Sequence, residues 1–257
     1  MTGDVFTQQE DGVLTLTLSN PAKRNSLSME MYDVLESELE RAAADPGLRA
    51  VVLQGAGGAF AGGTDIRHLA EIHTGADGVA YEAHMARVQS KLLDLRVPVI
   101  ALVQGPCVGG GLVLAALSDL VYCTPEARFG SPIARTLGNA LSATSIARLY
   151  ECFGRRATAE MLLTGRLLSA DEAERAGFVT AVVEEKDLAG RLQETLDAIA
   201  RCAPKTLRSF KEIERRLDAR LEKVDVDDLF EEIYGSADFA EGVAAFLDKR
   251  TPRFSGQ

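Results

Sequence analysis

Three consecutive glycines, Gly109, Gly110 and Gly111, interrupt residues 98–117 (PVIALVQGPCVGGGLVLAAL) between a short apolar run and an apolar segment of helical length. A glycine inside a helix or strand costs roughly 0.5–1 kcal/mol relative to alanine, so three together mark either close packing or a main chain that a ligand must approach. The first turn of a helix has unpaired N–H groups and the positive end of the helix dipole, and a glycine-walled turn there can hold developing negative charge. One such donor is half of an oxyanion hole. The other half is expected from residues 55–65 (GAGGAFAGGTD), a second glycine-rich loop whose small residues let a ligand reach the backbone.

The elements that must position these loops are legible. Residues 99–103 and 50–54 read as buried strands, each ending in one of the glycine loops, and residues 13–18 (VLTLTL) alternate as a half-buried strand does. Ser28 can cap a helix in which Met31, Leu35 and Leu39 recur, stopped by Asp45-Pro46-Gly47; a second helix is expected between residues 78 and 95. Residues 119–123, 127–130 and 179–183 suit short strands. Helix is expected from Ser142, and Ser169-Ala170-Asp171-Glu172 is a capping box. Beyond Leu188 the pattern is helical, with Leu207, Phe210, Ile213 and Leu217 on one face and Leu229, Phe230 and Ile233 on another. The strand–helix rhythm predicts an α/β fold, with residues 1–197 as core and 198–257 as a helical tail that packs on its own chain or on another subunit.

Composition narrows the partners. A net charge of −10 on 257 residues argues against a nucleic-acid or anionic-membrane surface, and 46% apolar residues suit a large core. Cys107, Cys123, Cys152 and Cys202 are scattered, which fits reduced thiols in the cytoplasm. His68, His73 and His84 form no metal-binding pattern, so no metal is expected. No run reaches the ~20 apolar residues of a membrane span, and the acidic N-terminus is unlike a targeting peptide. The glycine loops carry no dinucleotide fingerprint, nucleophile elbow or phosphate loop: the sixth position of GAGGAF is Phe60.

Taken in order, residues 20–27 (NPAKRNSL), residues 59–66 (AFAGGTDI), Pro98-Val99-Ile100-Ala101 with Gly109-Gly110-Gly111, Asp119, and Phe129-Gly130-Ser131-Pro132 resemble the motifs of the crotonase (enoyl-CoA hydratase/isomerase) superfamily, over about residues 13–254. The resemblance implies a spiral of ββα units with a C-terminal helical trimerisation region, a homotrimer or dimer of trimers, and a coenzyme A thioester as substrate with no separate cofactor. It places the two oxyanion donors on the backbone N–H of Gly62 and Gly110. Around them it implies substrate contacts at Ala61, Gly63, Thr64, Asp65, Ile66, Gly109, Val113, Pro132 and Ile133. Coenzyme A contacts are implied at Lys23, Arg24 and Ser26, and at Phe246 and Lys249 lent by a neighbouring subunit; surface charge is the plainer reading of Lys23 and Lys249.

The chain also departs from the family. The two glutamates with which hydratases of this superfamily hold and protonate a water are replaced by Val113 and Ile133. Val113 lies three residues after Gly110, one turn along the same helix face; it can pack against an acyl group and cannot accept a proton. Reaction on an atypical acyl-CoA is therefore expected: isomerisation, hydration/dehydration or a related step. A non-catalytic acyl-CoA-binding or scaffold subunit is the alternative. Other groups that could face the acyl site are Arg135, Thr136, Asn139 and Ser142 after the FGSP motif, and Tyr81, Glu82 and His84, of which His84 is the best proton carrier by its ordinary pKa.

Overall fold

The chain begins with a hairpin in which β1 (Asp4–Glu10) pairs antiparallel with β2 (Val13–Ser19). The structure, a computed structural model, describes residues 3–218 and 225–256. Leu14, Leu16 and Leu18 of β2 are buried and their neighbours half-buried, as alternation dictates. In β1 only Val5 is buried, so that edge strand left no periodic trace in the sequence. Ser28 accepts a hydrogen bond from Met31 N at 3.3 Å and starts α1 (Met29–Ala44), whose Met31, Tyr32, Leu35 and Leu39 face inward.

Next come β3 (Ala50–Gly55), α2 (Ile66–Leu69), α3 (Gly75–Leu93), β4 (Val99–Val103), β5 (Pro106–Val108), α4 (Gly110–Ala116) and β6 (Leu120–Cys123). They are followed by β7 (Arg128–Gly130), α5 (Ile133–Thr136), α6 (Ala143–Thr164), β8 (Leu168–Ser169), α7 (Ala170–Ala176) and β9 (Ala181–Val182). Strands β1-β2-β3-β4-β6-β9 form one sheet, parallel from β2 onward, and β5-β7-β8 form a second. The central strands are apolar throughout because both faces are covered. Asp119 holds the sheet at one end: its Oδ2 accepts from Val99 N at 2.7 Å and its Oδ1 pairs with Lys211.

Helix α8 (Glu185–Arg201) covers one sheet face, where Leu188, Leu192, Leu196 and Ile199 meet Val52, Ile100, Leu102 and Tyr122. The expected boundary at 197/198 falls inside this helix, because that apolar stripe runs unbroken across it. Then come α9 (Pro204–Asp218), α10 (Asp227–Tyr234) and α11 (Ala237–Leu247). Phe230, Tyr234, Phe239 and Val243 belong to the main core, so the end of the chain packs on its own chain, whereas Phe210, Ile213 and Leu217 of α9 stay more than half exposed. Among the described residues no helix is long and apolar enough to cross a membrane.

Candidate active site

The segment at residues 20–27 is a clamp. Asn25, at φ 55°, donates from Nδ2 to the carbonyls of Ala56 and Ala59, each at 2.7 Å, while its Oδ1 accepts from Asn20 N at 2.8 Å. Leu27 N donates to Gly63 O and Asp65 N donates to Leu27 O, forming a parallel bridge across Thr64. A buried asparagine with both ends satisfied thus fixes the first glycine loop against α1.

The three glycines of the second loop are needed for three different reasons. Gly109 has φ 54°, which favours glycine. A Cβ on Gly110 would lie 2.3 Å from Tyr32 Oη, and one on Gly111 would lie 2.6 Å from Ala61 Cβ. The loops therefore touch: Gly111 backs onto Ala61, and Gly110 sits beside Thr64, 3.3 Å from its Oγ1 when measured from that Cβ position.

This packing corrects one expectation. The Gly62 N–H is occupied, donating to Arg24 O at 2.8 Å, and is not available to a ligand. The Leu27 bridge uses Gly63 O and Asp65 N, so the Thr64 N–H points away from Leu27, and among the described residues it has no acceptor; neither does the Gly110 N–H at the start of α4. Gly63, at φ 98°, makes the turn that separates the engaged amide from the free one. Two donors do converge, from Thr64 and Gly110.

Beside Gly110 lies an enclosed cavity of about 60 Å³, lined by Tyr32, Tyr81, Glu82, Met85, Val88, Gln89, Gly109, Val113, Leu114, Ile133, Asn139 and Ser145 among others. Val113 and Ile133, the replaced glutamate positions, both form its walls. An apolar groove of about 510 Å³ adjoins it, sharing Ile133, Asn139, Ala140 and Leu141 and continuing between α6 and α10. Thr64 Oγ1 meets Tyr32 Oη at 3.0 Å and accepts from Tyr81 Oη at 3.2 Å, so two buried phenols pack behind the free amides. Burial pushes the Tyr32 phenol up to about 12 and Tyr81 well above its usual value, so both remain protonated donors.

Two carboxyl groups sit nearby. Asp65 caps α2, accepting from Arg67 N at 3.2 Å. Its burial would raise the pKa, but Arg67 Nη2 at 2.7 Å and Lys23 Nζ at 2.9 Å hold the carboxyl well below the carboxylate range. Glu82, on α3, is 9% exposed and has a neutral partner: Tyr234 Oη donates to its Oε1 at 2.5 Å. Burial raises the Glu82 carboxyl to about 7 against the weaker opposing pull of that hydrogen bond.

The remaining expected residues are scattered. Lys23 is engaged by Asp65, Arg24 is exposed at φ 51°, and Ser26 is 9% exposed with its Oγ near Asn20 Nδ2. Ala61 and Ile66 are buried packing residues, and Pro132 caps α5. Phe246 and Lys249 are exposed at the end of α11, and neither lines the cavity. Arg135 is exposed, Thr136 Oγ1 donates to Pro132 O and Ser142 caps α6, which leaves Asn139 as the member of that set on the cavity wall. His84, the sequence's best proton carrier, faces elsewhere: its Nε2 lies 3.0 Å from Asp33 Oδ1 and 3.9 Å from Glu36 Oε2, between α1 and α3. Those three residues are where potential metal ligands converge among the described residues, away from the cavity. Sequence reasoning missed Tyr32 and Tyr234, since an apolar stripe on a helix reads as core and does not show which phenol has a polar partner.

The description of the enoyl-CoA hydratase/isomerase family matches residues 8–257. The chain belongs to that family. It is 32% identical over 254 residues to a probable enoyl-CoA hydratase of Mycobacterium bovis, covering 98% of this chain and 97% of that one. It is 31% identical over 261 residues to the 2,3-dehydroadipyl-CoA hydratase of Escherichia coli, covering 99% of each. The solved structure of a methylmalonyl-CoA decarboxylase in complex with 2-nitronate-propionyl-CoA superposes with a TM-score of 0.88 at 25% identity, covering 99% of both chains. These relatives give the chain the crotonase fold and make it an enzyme of the hydratase/isomerase family.

Proposed function

We propose that this protein processes an acyl-CoA by stabilising a thioester enolate, with the Gly110 and Thr64 N–H groups receiving the charge that gathers on the carbonyl oxygen as a proton leaves or joins the adjacent carbon. One observation carries this: two unpartnered amides, from separate glycine loops, meet beside a cavity whose walls include Val113, Leu114 and Ile133. Donors fixed by packing need no reorganisation when charge develops, and that is where such holes get their effect. Val113 and Ile133 accept no proton, so two-carboxylate hydration is not the reaction; isomerisation or a related proton shift on an atypical acyl group suits Met85, Val88 and Leu114 around them. The coenzyme A thioester is itself the substrate, with Arg24, Lys23 and Ser26 beside its phosphates and pantetheine, and Phe246 and Lys249 supplied by a neighbouring copy. The exposed Phe210, Ile213 and Leu217 support assembly into a homotrimer or dimer of trimers.

The test compares Gly110→Pro with Gly110→Ala, each in a Tyr32→Phe background that removes the oxygen a new Cβ would strike. Both add a Cβ and only proline removes the N–H, at a helix position where its fixed φ is tolerated. Exchange of the acyl α-hydrogen in D2O, read by mass spectrometry, should be about 10²- to 10³-fold slower for proline than for alanine. Equal rates would remove Gly110 from the mechanism. Val113 and Ile133 also favour the second reading, a non-catalytic acyl-CoA binder, which predicts binding in calorimetry with no exchange by the parent protein.

A further inference from the structure

With no carboxylate at 113 or 133, the cavity still contains one acid. Glu82 lines the same space of about 60 Å³ as Gly110 and Val113, so the acid and the residue carrying one free amide wall a single cavity. Its position is set by close helix packing. A Cβ on Gly78, one turn earlier on α3, would lie 2.2 Å from the Tyr234 ring, and one on Gly75 would lie 2.3 Å from Glu231 O. The two glycines bring α10 against α3, and the Tyr234 hydroxyl reaches Glu82 Oε1 as a result.

Tyr234 is fixed in turn. It is 2% exposed and packs edge-on against Phe239 at 4.9 Å between ring centroids. Asn139, which also lines the cavity, has its Oδ1 buried without a partner among the described residues. Glu82 Oε2, by contrast with Oε1, has no donor among the described residues. One oxygen of the carboxyl is anchored and the other is unpartnered, on a residue that lines the cavity.

We infer that Glu82 is the residue that removes and returns the proton on the acyl carbon, with Tyr234 as its positioning residue. This rests on the enolate reading above. In the forward step the carboxylate takes the α-proton; the C–H electron pair becomes the carbon–carbon double bond of the enolate, and the carbonyl π pair moves onto oxygen, facing the Gly110 and Thr64 amides. In the return step the protonated Glu82 delivers the same proton to the α-carbon or, where the acyl group carries a neighbouring double bond, to the carbon at its far end. No oxidant, metal or water is consumed. A carboxyl that titrates near neutrality can act in both directions, which a normally acidic carboxylate does poorly. The groups facing it are neutral: the phenols of Tyr81 on its own helix, Tyr32 on α1 and Tyr234 on α10, with Asn139 beyond. No lysine, arginine or histidine among the described residues pairs with it, and its protonation is set by burial first.

The experiment measures α-hydrogen exchange in D2O with butyryl-, octanoyl- and phenylacetyl-CoA, for the parent protein, Glu82→Gln, Glu82→Asp and Tyr234→Phe. Glu82→Gln keeps the shape and accepts the Tyr234 bond, so acyl-CoA binding by calorimetry should be unchanged while exchange falls about 10²- to 10⁴-fold. Glu82→Asp should retain a measurable fraction. The parent rate should rise with pH through about 7, and Tyr234→Phe, which removes the hydrogen bond favouring the charged form, should move that midpoint upward; a purely structural tyrosine would lower the rate without moving it. Exchange by Glu82→Gln within a few-fold of the parent, with binding intact, overturns the assignment and leaves the enolate reading standing. If the parent exchanges none of the three thioesters, the enolate reading falls and the role of Glu82 falls with it.

Discussion

Asp65 and Glu82 are both more than nine-tenths buried, both accept a short hydrogen bond, and both belong to elements that wall the same site, yet they are driven to opposite protonation states. The difference lies in the charge of the donor. Lys23 and Arg67 place two cations on Asp65, which stays ionised and ties two loops together. Tyr234 offers Glu82 a neutral hydroxyl, too little to offset the loss of water. Burial alone therefore does not separate a structural carboxylate from a reactive one; the partner does.

The pair can be broken from either side. The largest stability effect should come from Asp65→Asn, which leaves Lys23 and Arg67 facing a neutral amide in place of a carboxylate and should cost about 3 kcal/mol, a fall in Tm of roughly 6–12 °C by calorimetry. Because the folded pKa of Asp65 is depressed, its contribution is present above the ordinary carboxylate value of 3.8 and is lost as pH falls below it. Glu82 has the opposite sign. Its folded pKa is raised from 4.5 to about 7, so the stability attached to it is complete below 4.5 and is lost as pH climbs through 7. Glu82→Gln should accordingly be more stable than the parent at pH 8, by about 2 kcal/mol in denaturant unfolding, and no more stable at pH 4. An equal gain at both pH values would show that the carboxyl is not destabilised by its own charge. The smallest effect belongs to His84→Ala: its imidazole faces Asp33 and Glu36 outside the cavity, so α-hydrogen exchange should stay within about twofold of the parent.

Much of this was legible in the sequence, for identifiable reasons. The strands ending in glycine loops, the Ser28 and Ser169 caps, the helix from Ser142 and the place of Val113 one turn after Gly110 depend on local spacing, which survives folding, whereas Ile133 is marked by the family resemblance. Gly62 against Thr64 did not, because which amide of AGGTD stays free is decided by the turn at Gly63 and by a carbonyl on Arg24, some 40 residues away. Glu82 was visible only as one of three polar residues on a helix. Its distinguishing partner lies 152 positions further along, on a helix whose sequence speaks of packing and nothing else. The expected boundary at 197/198 falls inside α8, where Leu188 to Ile199 continue one stripe against the sheet.

The closeness of α3 and α10, secured by Gly75 and Gly78, has a consequence during synthesis. A ribosome that has released only the first 225 residues has already made both sheets, both glycine loops and Glu82, but has not yet supplied the phenol that orients the acid. The site is thus finished only once α10 has been made, and a chain cut short before Tyr234 would lack the partner that aims its proton.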